Sequence, residues 1–170
     1  MPPAADPPDD SQRFLDAMRR IVQALRVADR QAHRSAGLSG AQLFVLRCLQ
    51  RAAQPLDLRT LAERTRTHHS SVSVVVQRLV EHGLVTRTSD PHDARRAAVQ
   101  LSPLGRRALR TAPAAPQQAL VEHLEALPAA TRRRLAREMI RLAAAVAPAD
   151  APAPMFFDTD KPERAARRRA

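Results

Sequence analysis

Residues 57–87 read DLRTLAERTRTHHSSVSVVVQRLVEHGLVTR, and this stretch decides the fold. Asp57 is a suitable N-cap for a short helix that ends before the polar break at residues 65–67. A second helix is predicted from about residue 68 to residue 82, because its apolar residues recur at helical spacing. Its inward-facing residues are Val72, Val75, Val76 and Leu79. Gly83 ends this helix, since glycine is common just beyond a helix C-terminus.

Two strand-like runs follow, at residues 84–87 and 97–101, and the segment 89–96 between them is polar. Two such runs on either side of a polar turn predict a β-hairpin. The order is therefore helix, tight turn, helix and hairpin, with basic residues at the tip of the hairpin. This order is typical of a winged helix-turn-helix, in which the second helix enters the major groove of duplex DNA.

If the apolar face of the second helix is buried, its other face is free to contact base edges. Gln77 can bond an adenine edge bidentately, and Val74 offers an apolar surface to a thymine methyl group. Arg95 and Arg96 at the hairpin tip suit a narrow, electronegative minor groove, and Asp93 is placed to hold Arg95. The predicted DNA-binding residues are Arg66, His69, Ser70, Ser71, Ser73, Val74, Gln77, Arg78, Arg87, Asp93, Arg95 and Arg96.

Upstream of this stretch, the sequence predicts a disordered segment and two helices. Residues 1–10 carry four prolines and three aspartates, so we expect them to be disordered. An amphipathic helix is predicted from residue 11 to about residue 33, and Ser39 can cap a second helix that ends near residue 53. The apolar residues of the first helix are Phe14, Met18, Ile21, Val22 and Leu25, and those of the second are Leu43, Leu46 and Leu49.

Downstream, the sequence predicts further helices and a tail. A helix starts near Pro103, and Pro113 with Pro116 must kink or interrupt it. A last helix is predicted from residue 131 to residue 147. Its apolar face consists of Leu135, Met139, Leu142 and Val146. Residues 148–170 are expected to form a mobile tail, and the isolated Phe156 and Phe157 in it have no role that the sequence reveals.

The composition favours a partner with many negative charges. The formal net charge is +11, from 28 Lys and Arg against 17 Asp and Glu. Residues 56–110 alone hold ten arginines and five acidic residues, a net charge of +5. With no Trp, no Tyr and four Phe, the chain has almost no aromatic surface on which to stack unpaired bases. We therefore predict a duplex DNA partner rather than single-stranded nucleic acid.

Several other classes of protein are excluded by the sequence. A single cysteine, Cys48, cannot make an internal disulfide or an all-cysteine zinc site. No stretch approaches 18 apolar residues, and the acidic N-terminus is not a signal peptide, so we expect no membrane contact and a cytoplasmic, nucleoid-associated protein. There is no Gly-rich phosphate loop and no Gly-x-Ser-x-Gly motif, so we expect neither an enzyme nor a cofactor.

The longest motif match runs through the predicted winged helix-turn-helix. It comprises LRTLAER at 58–64, SSVS at 70–73, LVEHGLVTR at 79–87, DPHDARR at 90–96 and LSPLG at 101–105. In these residues the sequence resembles the MarR family of bacterial transcriptional regulators. The resemblance covers about residues 11–147.

This resemblance implies a mainly α fold with a small β-wing. The helices at 11–34 and 106–147 would hold two copies of the chain together as a homodimer, and residues 39–105 of each copy would form a winged helix-turn-helix domain. The disordered segment 1–10 and the flexible basic tail 148–170 lie outside these parts. The implied function is that of a repressor that binds a palindromic operator. A small-molecule effector, such as an anionic aromatic, would bind a pocket where the dimerisation and DNA-binding parts meet and would release the protein from its operator.

Three alternative interpretations stay open on the sequence alone. The protein could be a nucleoid-type architectural protein that binds DNA through charge without an effector. It could be a repressor that senses oxidants through Cys48, although a free cysteine is more often a small buried residue. Zinc binding by histidines is a weaker possibility, because no two of the six histidines lie at i, i+4. His33, separately, is as good a candidate for lining a ligand cleft as for capping the end of the first helix at the surface.

Overall fold

The computed structural model describes residues 9–90, 93–146, 153 and 155–158, and for residues 89, 90 and 93–97 it describes the backbone alone. Within this part of the chain, a set of helices packs against a small sheet. The elements are α1 (Asp10–Ala36), α2 (Gly40–Gln50), β1 (Leu56–Asp57), α3 (Leu58–Thr65), α4 (His69–Glu81), β2 (Val85–Asp90), β3 (Asp93–Leu101), α5 (Pro103–Thr111), α6 (Pro116–Ala126) and α7 (Ala129–Val146). The predicted fold class, mainly α with a small β-wing, is confirmed. The predicted disorder of residues 1–10 is wrong for the last two of them, because the Asp9 carboxylate caps α1 and Asp10 is the first residue of that helix, while residues 1–8 lie outside the described residues.

Helix α2 is the centre of the core. Ser39 caps it through a capping box, in which its hydroxyl accepts from the backbone N–H of Gln42 and the Gln42 side chain accepts from the backbone N–H of Ser39. Nine of its eleven residues are buried, because α1, α3, α4 and α5 pack around it. The sequence predicted only one buried stripe and an end near residue 53. A helix that is enclosed on every side is buried all round.

The two helices of the helix-turn-helix have the predicted boundaries to within one residue at most ends. Asp57 caps α3, since its carboxylate accepts from the backbone N–H of Thr60 at 2.6 Å. Helix α4 ends before Gly83, whose φ of +68° favours glycine. The predicted inward-facing residues of α4 are all buried, at 1% exposure or less. Burial of this face fixes the rotation of α4 about its own axis.

The hairpin is longer than the sequence predicted and it has a third strand. Strands β2 and β3 pair antiparallel as far as Asp90 and Asp93, so most of the predicted polar turn 89–96 is strand. Strand β1 pairs with the other edge of β3, giving the order β1-β3-β2. Backbone pairing across a hairpin needs no apolar side chains, which explains why the alternation of apolar residues ended before the strands do.

The base of the wing is fastened to the start of α5 by a close approach. The Ser102 hydroxyl donates to the carbonyl oxygen of Gly83 at 2.6 Å and accepts from the backbone N–H of Gly105 at 3.0 Å. A Cβ on Gly105 would lie 2.1 Å from the carbonyl oxygen of Leu84, so this approach requires glycine. The wing is therefore held at a fixed place beside the helix-turn-helix.

Proline breaks the downstream helix completely. Helix α5 ends at Thr111, and α6 begins at Pro116, its first residue. The prediction that Pro113 and Pro116 kink or interrupt the helix is confirmed. The last helix, α7, starts two residues earlier than predicted and ends at Val146.

Much of the apolar surface of α1 and α7 is not covered within the chain. No residue of α7 is buried, and in α1 only Leu25 and Ala32 are buried. The exposed apolar side chains of these two helices are Phe14, Leu15, Ile21, Val22, Leu135, Ile140, Leu142 and Val146. In the described residues no helix is both long enough and apolar enough to span a membrane.

A short piece of the predicted mobile tail lies against the folded domain. Met155 is 6% exposed and belongs to the main core cluster. The backbone N–H of Asp158 donates to the carbonyl oxygen of Met155 at 3.2 Å, which closes a turn. The expectation of a freely mobile tail is therefore wrong for residues 155–158, because a buried methionine side chain fixes them to the core. The rest of 148–170, apart from residue 153, lies outside the described residues.

Candidate nucleic-acid interface

The outer face of α4 carries most of the side chains that the sequence assigned to base reading. His69, Ser70 and Gln77 are exposed, and Val74 is 45% exposed. Ser73 is half-buried beside them. These side chains share one face because the opposite face is packed into the core. A single helix face with amide, hydroxyl and apolar groups is suited to contact base edges in a major groove.

The N-terminus of α4 is open to an anion. Its N-cap residue His68 makes no side-chain hydrogen bond to the first turn. The first backbone N–H groups of a helix have no intrahelical acceptor, and the helix dipole favours negative charge there. A DNA phosphate is a group of this kind.

Gln77 has a partner that DNA can replace. Its Nε2 donates to Glu81 Oε1 at 3.0 Å, one turn further along α4. Both side chains are exposed, so exchanging this hydrogen bond for one to a base costs little free energy.

Arg66 is not a free phosphate ligand in this structure. It lies in the turn before α4 with φ of +52°, and its Nε donates to Glu125 Oε1 of α6 at 2.6 Å. An ion pair joins the same two residues. Arg66 therefore connects the helix-turn-helix turn to α6, a link that the sequence did not predict.

Two further predicted DNA contacts face the C-terminal segment instead. The Ser71 hydroxyl donates to the carbonyl oxygen of Ala153 at 3.3 Å. Arg78 forms an ion pair with Asp158, and both side chains are largely buried. The flank of α4 that carries Ser71 and Arg78 is covered by this chain's own residues.

The wing contributes one described basic side chain. Arg87 in β2 is exposed and pairs in register with Val99 of β3. Asp93, Arg95 and Arg96 lie in β3, one strand of the wing, but their side chains lie outside the described part of the chain. The predicted contact between Asp93 and Arg95 thus stays a prediction.

A polar cavity of about 510 Å³ lies where α2, α3 and α6 meet. We call it the arginine cavity, because Arg51, Arg64 and Arg66 line it. Its other lining residues are Cys48, Glu63, Gln118, Val121 and Glu125. The sequence did not predict this set, since its members come from α2, α3, α6 and the residues just after α2 and α3, and form no motif. Arg51 pairs with Glu122, and the hydrogen bond from Arg51 lowers the pKa of the Glu122 carboxyl.

Cys48 borders the arginine cavity but is buried, with 6% exposure. Loss of hydration on burial raises the pKa of its thiol, although the charges of Arg64 and Arg51 act in the opposite direction. His33 is exposed in the last turn of α1 and does not line the arginine cavity. In the described residues, no three His, Cys, Asp or Glu side chains cluster as a metal site.

A second cavity, of about 970 Å³, lies between α1, α6 and α7. We call it the apolar groove. Most of its lining side chains are apolar, among them Phe14, Ile21, Leu124 and Met139. Phe156 of the C-terminal segment also lines it. The groove lies between the helices whose apolar surface is left uncovered.

Comparison with known proteins identifies the module. Residues 36–96 match the MarR family model, a range that runs from the end of α1 into β3. No curated protein matches the chain at a significant level.

Solved structures share the fold over most of the chain. A MarR family transcriptional regulator from Streptomyces coelicolor in complex with DNA is 23% identical, with a TM-score of 0.54, and the match covers 87% of this chain and 96% of that one. The PcaV transcriptional regulator from Streptomyces coelicolor, in complex with its natural ligand, is 28% identical, with a TM-score of 0.53 and coverage of 84% and 99%. A probable transcriptional regulator from Pseudomonas aeruginosa is 29% identical, with a TM-score of 0.50 and coverage of 79% and 98%. Residues 36–96, which hold the helix-turn-helix and part of the wing, are therefore similar to the MarR family, and the solved structures with the same fold include a MarR family transcriptional regulator.

Proposed function

We propose that this protein is a homodimeric repressor that binds a palindromic DNA operator and leaves it when a small anionic molecule binds. The observation that carries the proposal is the exposed polar face of α4, held in a fixed orientation beside an arginine-bearing wing. The buried residues of α4 set this orientation, and the match of residues 36–96 to the MarR family model supports the use of α4 as a DNA-reading helix. Val74 and Gln77 are the side chains best placed to discriminate between bases.

The uncovered apolar surface supports a homodimer. Val146 is 84% exposed, Ile140 68% and Leu142 50%. Apolar surfaces of this extent on soluble proteins mark an interface, because water would otherwise be ordered around them. A second copy of the chain, packed with its α1 and α7 against these helices, would cover this surface and the apolar groove. A symmetric dimer places two α4 helices in successive major grooves if they lie about 34 Å apart.

The arginine cavity is our candidate for the effector site. Its volume of about 510 Å³ lies in the range of small-molecule sites. Guanidinium groups bind a carboxylate, while Cys48 and Val121 offer an apolar wall to a ring. The PcaV regulator, solved in complex with its natural ligand, supports the idea that a protein of this fold can hold an effector.

Arg66 provides a route from this cavity to the DNA. It lines the arginine cavity, pairs with Glu125 of α6 and stands three residues before the start of α4. An anionic ligand competes with Glu125 for the guanidinium of Arg66. Loss of that link would let α4 shift relative to α6, and the spacing of the two α4 helices would then no longer match the DNA. A ligand causes this shift only to the extent that it binds the shifted arrangement more tightly.

An architectural DNA-binding protein is the main rival from another class. It would bind through charge, with little preference for sequence and no effector. The structure favours the regulator because α4 presents Gln77, Ser70 and Val74 rather than arginines on its outer face. A protein that binds DNA through charge alone does not need a helix face of polar and apolar side chains that can contact base edges.

Base reading by Gln77 leads to the first prediction. With an operator selected from a random duplex library, we expect Gln77→Ala to weaken binding chiefly through one base pair per half-site, by about 1–3 kcal/mol. Arg95→Ala should weaken binding to all sequences and reduce the salt slope by about one. Fluorescence anisotropy on duplexes with single base changes measures both effects.

Gln54→Ala serves as the control, since Gln54 is an exposed glutamine outside the helix-turn-helix. If the wild type binds the selected operator and a shuffled duplex equally well, the regulator proposal is wrong. If Gln77→Ala weakens every duplex to the same extent, α4 does not read bases through this residue.

The proposed dimer leads to a second prediction. Leu142→Asp places a charge on the apolar face of α7, and we expect it to convert the dimer to a monomer at micromolar concentration. Ala144→Asp is the matched control, because residue 144 lies on the opposite face of the same helix and is also exposed. Light scattering after gel filtration gives the mass of each variant. A wild type that elutes as a monomer would remove the dimer from the proposal.

The effector site leads to a third prediction. A thermal-shift screen of phenolic and other aromatic acids should identify a ligand that adds about 2.7 kcal/mol of stability at 100 times its dissociation constant. We expect Arg64→Gln to reduce this stabilisation by at least half, because Arg64 lines the arginine cavity. Arg107→Gln on α5, outside the cavity, is the matched control. Equal stabilisation of both variants would place the effector elsewhere.

The burial of Cys48 leads to a fourth prediction, which tests the redox alternative. A raised pKa keeps the thiol protonated at pH 8, and the protonated thiol is not nucleophilic. We expect a thiol reagent to label native Cys48 at least about ten times more slowly than the same residue in denaturant. The labelling rate of the native protein should still rise above pH 9. Fast labelling at pH 7, or a DNA affinity that peroxide lowers in the wild type but not in Cys48→Ala, would support the sensor instead.

A further inference from the structure

Five described residues near the C-terminus form a strap across the flank of the DNA-reading helix. The strap comprises Ala153 and the residues 155–158. Its anchor is the side chain of Met155, which is 6% exposed and packs in the main core. Phe157 adopts a left-handed conformation with φ of +57°, and the turn brings Asp158 back towards Met155. The strap is therefore a turn that the buried Met155 side chain fixes to the core.

The strap occupies the side of α4 that carries Ser71 and Arg78. These residues are seven positions apart, so they lie on the same side of α4, two turns from each other. Ala153 accepts a hydrogen bond from the Ser71 hydroxyl, and Asp158 pairs with Arg78. Both contacted side chains stand next to the exposed face that we assign to base reading.

The pair of Arg78 and Asp158 is unusual in its burial. The two side chains are 16% and 12% exposed. Among the described residues, both members of every other ion pair are at least 46% exposed. Exposed ion pairs contribute little because water and salt screen them, whereas a sheltered pair is screened much less. Among the described residues, this ion pair is therefore the one least screened by water and salt.

We propose that the strap competes with DNA for the recognition helix, so that the carboxylate of Asp158 holds the Arg78 guanidinium that otherwise binds a DNA phosphate. The arginine fork accepts a carboxylate and a phosphate in the same geometry. While the strap is in place, the protein binds DNA with one phosphate contact fewer per subunit. When the strap leaves, Arg78 loses the competing carboxylate of Asp158, and the Ser71 hydroxyl loses the carbonyl oxygen of Ala153. This inference rests on the proposed DNA-binding function.

The test is the substitution Asp158→Asn, which removes the charge of the strap and changes little else in shape. We expect it to tighten operator binding about tenfold at moderate salt, because each subunit gains a charge-assisted contact. The slope of log affinity against log salt should steepen by about 0.9 for each phosphate gained. Asp158→Glu keeps the charge and should retain the affinity of the wild type.

Asp16→Asn is the matched control. Asp16 pairs with Arg19 on α1, so the variant has the same change in net charge away from α4. If Asp16→Asn tightens binding as much as Asp158→Asn, the effect is one of net charge and the strap proposal is wrong. In Arg78→Ala, the further change Asp158→Asn should have no effect on affinity.

Two measurements keep the test decisive if Asp158→Asn lowers stability. Met155→Ser removes the anchor of the strap and leaves both ionic groups in place, and we expect it to tighten operator binding in the same direction. The nitrogen resonance of the Arg78 guanidinium should also shift when the wild type binds the operator. Unchanged affinity in both variants, or an Arg78 resonance that DNA does not move, would overturn the strap. Equal binding of selected and shuffled duplexes by the wild type would instead overturn the proposed function.

Discussion

Burial of one face of α4 is the constraint on which the rest of the site depends. Val72, Val75, Val76 and Leu79 are packed against α2 and its neighbours with almost no exposure. An α-helix has a fixed angular relation between its residues, so a buried face determines which side chains point outward. The outward set contains the amide, hydroxyl and apolar groups that can read bases. A substitution that rotated α4 would lose the core and the reading face together.

The sequence predicted this part of the structure well, and the reasons are physical. The helical spacing of apolar residues and the position of Gly83 predicted the bounds of α4. Asp57 and Ser39 predicted the starts of α3 and α2, and the prolines predicted the break in the downstream helix. The strands were predicted too short because Ser89, Asp90 and Asp93 are polar, while strand pairing depends on backbone groups. The arginine cavity was not predictable from local pattern, since packing of α2, α3 and α6 brings its residues together. The strap was not predicted because residues 155–157 are an isolated run of three apolar residues, which is too short to show the spacing of a helix or a strand.

The structure divides the arginines behind the net positive charge into those paired with carboxylates and those exposed to solvent. Several arginines near α4 are engaged with carboxylates, among them Arg51, Arg66 and Arg78. They are the basic groups that can change partner. Under the proposed function, an exposed arginine such as Arg87 attracts DNA whatever the conformation of the chain, whereas a paired arginine contributes only when its carboxylate moves away. The attraction to DNA would then have one part that is independent of conformation and one part that depends on it.

The two ends of α4 are held by elements outside the helix-turn-helix. Arg66, just before its N-terminus, is linked to Glu125 of α6, and Arg78, near its C-terminus, is linked to Asp158 of the strap. These two ion pairs join the helix-turn-helix, within which α4 keeps its buried face, to α6 and to the strap. Arg66 and Glu125 line both cavities, whereas the strap contributes Phe156 to the apolar groove alone. Under the proposed function, a small molecule in the arginine cavity acts on α4 through Arg66, and a change of packing in the apolar groove acts on it through Arg66 and through the strap.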